Sequence, residues 1–369
     1  MAIIHINKGH DIKISGAPIK VLKTLPCPKS IKVIPDDFPG IKPKLTIKID
    51  EQVKIGDKLF FDKNSPKVHF CSPVSGKILD IKFGERRKVE YIEISCENND
   101  YSYDPSSISS KDISREDIID KLLVSGLWPS IRQRPFSKIA NPEDTPKSIF
   151  ITAMPTAPFS LDLEFVLQED SAGIKKGLSV LNSLTSGDVN VVMARNKTYT
   201  IFDGCEDFES HQFSGPHPAG NTGIHIHHID PISSRDDIVW YISLQDVNDI
   251  GKFFTDGTYP TDKYISIGGI HASNPGYYKI KKGTIISEIL NISEQESDSL
   301  IISGDILSGD RRDIDLPINY YHETLSTILH FKKRDFLGWI LPGLNKYSLS
   351  RTFLSSLFKK ATTNFDTRI

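Results

Sequence analysis

The stretch Ser148-Ile-Phe-Ile-Thr-Ala-Met154 is an unbroken apolar run in a chain that otherwise mixes polar and apolar residues closely. A strand with no polar face must be covered on both sides, the condition of a central strand in a parallel sheet. The segments after it alternate as such a sheet requires. Phe159 to Leu167 and Ile174 to Ser183 read as helices. Val189 to Ala194 and Asp237 to Ser243 read as strands, and Leu244 to Phe254 as a further helix. This pattern predicts a doubly wound α/β layer.

The layer is expected to be a Rossmann-like domain over residues 105–256, but its nucleotide fingerprint is missing. After the Ile149–Ala153 strand come Pro155 and Pro158, where glycines would let the backbone approach a pyrophosphate. NADH and FAD are therefore not expected to bind here in the usual way, and there is no Walker motif. A polar linker, residues 101–115, leads into the domain. Ser114 and Asp117 form an N-cap arrangement for a helix to about Ser125, with Ile118, Leu122 and Val124 as its buried stripe and Gly126 as its end.

Residues 1–104 are short alternating segments separated by Gly and Pro, and read as all-β. Val53-x-x-Gly56-x-x-Leu59, followed by Ser72-Pro-x-Ser-Gly76-x-Ile78, resembles the barrel-sandwich core of biotinyl and lipoyl domains. Lys63 falls too early for the modified lysine of such domains and reads as a strand-end residue. Residues 257–316 turn β again and suggest a β-grasp, ubiquitin-like domain. Ser303-Gly-Asp-Ile-Leu-Ser-Gly309 resembles the glycine turn of soluble ligand-binding β-grasp domains, the SLBB type, of respiratory complexes. Residues 317–369 form a C-terminal segment, read as the start of a truncated helical region. Its Phe336, Leu337, Trp339, Ile340, Leu341 and Leu344 lie beside basic residues and suit either a partner or membrane-edge surface or packing on the β-grasp domain.

Charge and cysteine usage exclude several function classes. Lys+Arg 45 against Asp+Glu 47 leaves a net charge of −2, unlike a dedicated nucleic-acid binder. Cys27, Cys71, Cys96 and Cys205 are scattered without a C-x-x-C pair, so no zinc or iron–sulfur site is encoded locally, and four isolated thiols suit a reducing cytosol. No run approaches the ~20 apolar residues needed to span a bilayer. The N-terminus is charged too early for a secretion signal.

Two stretches carry candidate chemistry. Phe213-Ser-Gly-Pro-His-Pro-Ala-Gly-Asn-Thr-Gly-Ile-His-Ile-His-His-Ile-Asp-Pro231 should be an ordered glycine–proline loop, then a short strand from Ile224. In a strand, His225 and His227 share a face and could grip one metal ion, with His217 or Asp230 as a third ligand. The alternative is that the imidazoles bond the free backbone groups of the loop. The lack of Glu or Cys at ligand spacing favours that alternative. The second stretch, Leu127 to Lys138, gathers Trp128, Arg132, Arg134, Phe136 and Lys138 around Pro135. It reads either as a loop that stacks a flat ring and donates to its carbonyls, or as core aromatics with solvated arginines.

The motif S-G-P-H-P-A-G-x-x-G-x-H-I-H, followed by D-P, resembles a signature of the A subunit of the bacterial sodium-translocating NADH:quinone oxidoreductase. Lys8-Gly9, Ser15-Gly-Ala-Pro18, Phe61-Asp-Lys63, Ser72–Gly76, Gly126-Leu-Trp128, Arg134–Lys138, Leu244-Gln-Asp-Val247 and Trp339–Thr352 extend the resemblance over nearly the whole chain. The resemblance implies a peripheral subunit on the cytoplasmic side of the bacterial inner membrane, inactive alone and without redox cofactors or metal of its own. Its partners would be the membrane and flavin subunits. The complex would pass electrons from NADH, through flavins and iron–sulfur in other subunits, to ubiquinone while exporting Na⁺. The A subunit would help to handle the quinone, with Trp128, Arg132, Arg134, Phe136, Lys138, His217 and His225 as the expected quinone site. Two other readings are a non-catalytic scaffold of the same complex and a small metal-dependent enzyme built on His225 and His227. Family chains continue past Ile369 with a helical segment, so this chain is expected to be shortened.

Overall fold

The computed structural model describes residues 1–97, 100–104, 108, 114–290, 299–329, 336–344, 346 and 352–357. The first two strands, β1 (Ile3–His5) and β2 (Ile19–Thr24), pair with sheets built far along the chain. A β unit follows: β3 (Ser30–Val33), β4 (Pro43–Leu45), β5 (Gln52–Val53), β6 (Lys58–Asp62), β7 (Ser65–Cys71), β8 (Gly76–Phe83) and β9 (Val89–Ser95). Its strands form sheets of order β3-β9-β8-β5 and β4-β6-β7. Between them lie Ile31, Leu59, Phe60, Phe70, Ile78, Ile92 and Ile94, with Phe60 stacked on Phe70 at 4.5 Å. Lys63, expected at a strand end, is instead the first residue of the two-residue turn between β6 and β7. The Asp62 carboxylate accepts from the Lys42 and Asn64 amides and so holds that turn.

Helix α1 (Arg115–Ser125) begins where Ser114 accepts from the Asp117 amide and ends at Gly126, whose φ of 74° closes the last turn. Its buried stripe is Ile118, Ile119, Leu122 and Leu123. Val124, expected in that stripe, is 64% exposed, because it lies about 100° around the helix from Leu123. Then come β10 (Arg132–Arg134), β11 (Lys138–Ile139), β12 (Ser148–Thr152), α2 (Leu163–Val166), α3 (Ser171–Asn182), β13 (Asp188–Ala194), β14 (Glu209–Ser214), α4 (Thr222–Ile229), β15 (Val239–Ser243) and α5 (Leu244–Asp256). The helix expected from Phe159 starts only at Leu163, because Phe159 sits at a φ of 63° that no α-helix accepts.

These strands make one seven-stranded sheet, β1-β14-β13-β12-β15-β10-β11. β1, β14, β13, β12 and β15 run parallel, and the β10–β11 hairpin adds an antiparallel edge. α3 and α5 cover one face. They approach so closely that a Cβ on Gly251 would lie 1.7 Å from the Gly173 carbonyl oxygen and 2.7 Å from the Gly177 nitrogen. α4 lies on the other face, over Phe150, Val239 and Tyr241.

The third unit comprises β16 (Asp262–Gly269), β17 (Gly276–Lys281), α6 (Ile286–Ile289), β18 (Ser299–Ser303), β19 (Asp310–Arg311) and β20 (Thr324–Leu329). Its six-stranded sheet runs β19-β18-β20-β16-β17-β2, over a core of Ile265, Ile267, Ile280, Ile286 and Leu325. The boundary expected at residue 316 therefore cuts through this sheet, since β20 lies between β18 and β16. The expected 1–104 unit likewise gives up β1 and β2. Past β20, Phe336 (89% exposed) and Trp339 (77%) project into solvent; residues 330–335 of that segment lie outside the described residues.

The strand expected from Ile224 is the helix α4, so His225 and His227 do not share a face. Residues two apart on a helix diverge by about 200°. His225 is fully buried, its Nε2 2.8 Å from the Ala219 carbonyl oxygen, while His227 is exposed.

Close helix packing and the buried imidazole give two measurable outcomes. Gly251→Ala should destabilise the chain by about 1–3 kcal/mol, read as a lower urea midpoint at unchanged m-value. Burial holds the His225 ring neutral and lowers its pKa from 6.5 to about 4. In the unfolded chain the ring protonates near its ordinary value. Stability should therefore fall as pH drops through the window from about 6.5 to 4. His225→Gln should lower the midpoint at pH 7.5 yet shrink the drop between pH 7.5 and pH 5. An unaltered drop would remove His225 as its source.

Candidate functional site

Cross-strand partners share a face of a sheet. Arg132 pairs with Tyr241 and Arg134 with Val239, so both arginines project to the face covered by α4. The Arg132 guanidinium carbon lies 4.4 Å from the Tyr241 ring centroid and 4.3 Å from that of Tyr321, which comes from the third unit. The Arg134 guanidinium carbon is 4.7 Å from the same Tyr241 ring. Among the described residues neither arginine has a carboxylate partner. The Nε of each is buried without a hydrogen bond.

Beside them runs a shallow groove of about 260 Å³, lined by Arg134 and Pro135 on one side and by Gly223, Ile226, His227, Pro231 and Ile232 from α4 and the loop after it. Phe136 stands at the tip of the β10–β11 hairpin, 79% exposed, and Lys138 is exposed at the start of β11. The arrangement supplies guanidinium donors, an apolar trough and an exposed ring. It holds no nucleophile–base pair.

The remaining expected site residues lie elsewhere. Trp128 is completely buried, donates from Nε1 to the Ala140 carbonyl at 2.8 Å, and meets Trp240 edge-on at 5.5 Å. Its ring faces core rather than groove. His225 sits on the buried side of α4, in the core. His217 lies beyond the carboxyl end of β14, with its Nδ1 3.1 Å from Thr156 Oγ1 and its amide bonded to Asp11. Arg134 pairs with Val239, the first residue of β15, at the amino end of the parallel strands, so the sheet's length separates it from His217. The structure thus gathers Arg132, Arg134, Phe136 and Lys138, and adds Tyr241, Tyr321, His227 and Ile232. Tyr241 lies in a predicted strand, but only the register places it under both arginines. Tyr321 comes from another unit, and no local pattern signals it.

A larger crevice of about 610 Å³ opens at the carboxyl ends of β12, β13 and β14, where open α/β sheets commonly hold ligands. Of its charged lining residues Asp162, Arg195 and Lys197, Lys197 is paired with Asp162, which also takes Lys20 from β2. Lys197 and Lys20 pull the Asp162 carboxyl below its ordinary pKa against the upward effect of its burial.

Two family models match the chain: the NqrA N-terminal barrel-sandwich hybrid domain over residues 4–97 and the NqrA second alpha/beta domain over residues 113–259. A Yersinia pseudotuberculosis protein, named as the A subunit of a Na(+)-translocating NADH-quinone reductase, is 35% identical over 99% of this chain and 82% of its own length. Proteins of the same name from Saccharophagus degradans and Hahella chejuensis are 34% and 35% identical over the same shares. A solved NAD+-reducing [NiFe]-hydrogenase overlaps 50% of this chain and 41% of its own, at 9% identity and a TM-score of 0.35, a likeness too slight to bear on function. The barrel-sandwich unit, the α/β unit and the identity along the whole chain agree: the chain belongs to the NqrA family, the A subunits of the Na(+)-translocating NADH-quinone reductases.

Proposed function

We propose that this chain serves as the A subunit of a Na⁺-translocating NADH:quinone reductase, and that the Arg132–Lys138 hairpin with the α4 groove is a ubiquinone-facing surface. In this reading it is a peripheral subunit on the cytoplasmic side of the membrane. It assembles with the membrane and flavin subunits and carries no redox centre of its own. The strand order β14-β13-β12-β15 supports a Rossmann-like layer. The mixed sheet with α6 supports a β-grasp-type third unit.

The observation that carries the surface is the pair of arginines sharing the Tyr241 ring, each with a buried Nε that lacks an acceptor. A quinone head is a flat, uncharged ring with two acceptor carbonyls, and its tail is apolar. Guanidiniums at the ring edge can donate to the carbonyls. Pro135, Ile226, Pro231 and Ile232 offer an apolar path beside them. A docking-scaffold reading is favoured by a different observation, the exposed Phe336, Leu337, Trp339, Ile340, Leu341 and Leu344.

Each bond to a neutral carbonyl contributes about 0.5–1.5 kcal/mol net. Arg134→Ala combined with Phe136→Ala should therefore weaken short-chain ubiquinone binding by the isolated chain by roughly ten-fold. Neither side chain is buried in the core, so the far-UV circular dichroism and urea midpoint should be retained. Full quinone affinity in the double variant, with full quinone reductase activity in the assembled complex, would transfer the case to the scaffold reading.

A further inference from the structure

Cys27 and Cys96 are far apart in sequence, and the four thiols read there as isolated. The fold brings these two together. The connector Leu25–Lys29 links β2, in the third unit's sheet, to β3, in the barrel. Leu25 is tied to the first of these by its amide on the Lys279 carbonyl at 3.0 Å. The connector enters the barrel opposite the end of β9: Ser30 pairs with Ser95, and the Cys96 amide donates to the Lys29 carbonyl at 2.9 Å. With Lys29 opposite Cys96, Cys27 two residues earlier falls on the same face as Cys96, its diagonal neighbour. The Cys27 thiol is thus a close neighbour of the Cys96 thiol and acts on its titration. Pro26 and Pro28 flank Cys27 and fix the backbone on either side of it.

Access differs between the two sulfurs. Cys27 is exposed and lines a cleft of about 360 Å³ with Lys29, Thr284 and Glu288. Cys96 is half-buried against the barrel core. Its burial and the neighbouring Cys27 thiol push its pKa up to about 12. Cys71 lies apart from this pair, near the Val124 carbonyl.

We propose that Cys27 and Cys96 are a reversible dithiol–disulfide pair, oxidised by thiol–disulfide exchange with a small disulfide of the glutathione type. Cys27, as the thiolate, attacks one sulfur of oxidised glutathione. A Cys27–glutathione bond forms, the glutathione disulfide breaks, and one glutathione leaves. Cys96 then loses its proton and attacks the Cys27 sulfur, closing the Cys27–Cys96 bond and expelling the second glutathione. Two protein thiols are oxidised, and one glutathione disulfide is reduced to two thiols. The bond cross-links the connector to the end of β9, on the route by which β2 reaches the third sheet, so redox state sets how firmly the two units are joined. The pair stands apart from the α4 groove and acts independently of it.

The test is incubation of the folded chain with oxidised glutathione, followed by intact mass and peptide mapping. The expected product has lost two hydrogens and joins the Cys27 peptide to the Cys96 peptide, and reduced glutathione reverses it. Cys96→Ser should stop at a stable Cys27–glutathione adduct. Cys27→Ser should slow the oxidation of Cys96 at least ten-fold. Cys71→Ser and Cys205→Ser should change nothing. The proposal is overturned if the native chain does not react. A persistent Cys27–glutathione adduct with Cys96 intact, or a cross-link that survives Cys27→Ser, would overturn it equally.

Discussion

Asp37 is a carboxylate that water barely reaches, and donors from outside its own unit hold it there. It belongs to the barrel, in the turn after β3. The Arg312 guanidinium, the Asn319 side chain at 3.2 Å and the Tyr320 amide at 2.9 Å bond it from the third unit. Burial raises its pKa, and Arg312 draws it back down. An unpaired buried carboxylate costs several kcal/mol, so as long as Asp37 is enclosed between the two units all three donors must stay in place. The constraint reaches the candidate site. Tyr320 and Tyr321 pack on Phe38, at 4.8 and 5.9 Å, and the Tyr321 hydroxyl donates to the Pro129 carbonyl at 2.8 Å. Tyr321 is also the second ring against Arg132. One buried ion pair thus bears on the position of the ring that stacks on Arg132 in another unit.

The central sheet supplies the rest of that geometry. From β12 the chain moves outward through β13 to β14, then crosses back to lay β15 on the other side of β12. The crossover must return from the carboxyl end of β14 to the amino end of β15, because the two strands are parallel. Helical crossovers satisfy this requirement. Thr222-Gly-Ile-His-Ile-His-His-Ile229 therefore folds as α4 although its alternation of Ile and His reads as a strand. His225 and Ile226 turn into the core, and His227 is left at the groove.

Legibility in the sequence follows the range of the interactions. The apolar run at β12, the Ser114 cap of α1, β13, β15 and α5 lie within a few residues of where periodicity and capping put them, since each answers to its own side chains. The misplaced features depend on distant ones. β1 finds its pairing with β14 about two hundred residues on, and β2 with β17 even further. Val124, following Leu122 and Leu123, reads as stripe until α1 is oriented. Arg132, Arg134, Phe136 and Lys138 are legible as a cluster because they are contiguous. Tyr241 beneath them depends on strand register, and Tyr321 on the docking of another unit, neither of which a local pattern encodes.

Stability alone does not explain why Arg132 and Arg134 stand where they do. Each guanidinium over Tyr241 gains about 0.5–2 kcal/mol from the ring face. Each buried Nε without an acceptor loses about 1–3 kcal/mol, and the two like charges repel across one ring. These contributions roughly cancel, so an apolar residue opposite Val239 would serve the sheet at least as well as Arg134. Native folds satisfy most buried polar groups, and the exceptions concentrate where a group is held for something other than folding. An oxygen acceptor entering the groove beside Arg134 can bond the outer N–H groups of the guanidinium, while the enclosed Nε stays unpaired. The unpaired guanidiniums by themselves attract an anion at least as well as a neutral carbonyl, so the quinone reading proposed above rests on the apolar trough beside them, which suits an uncharged ring and tail.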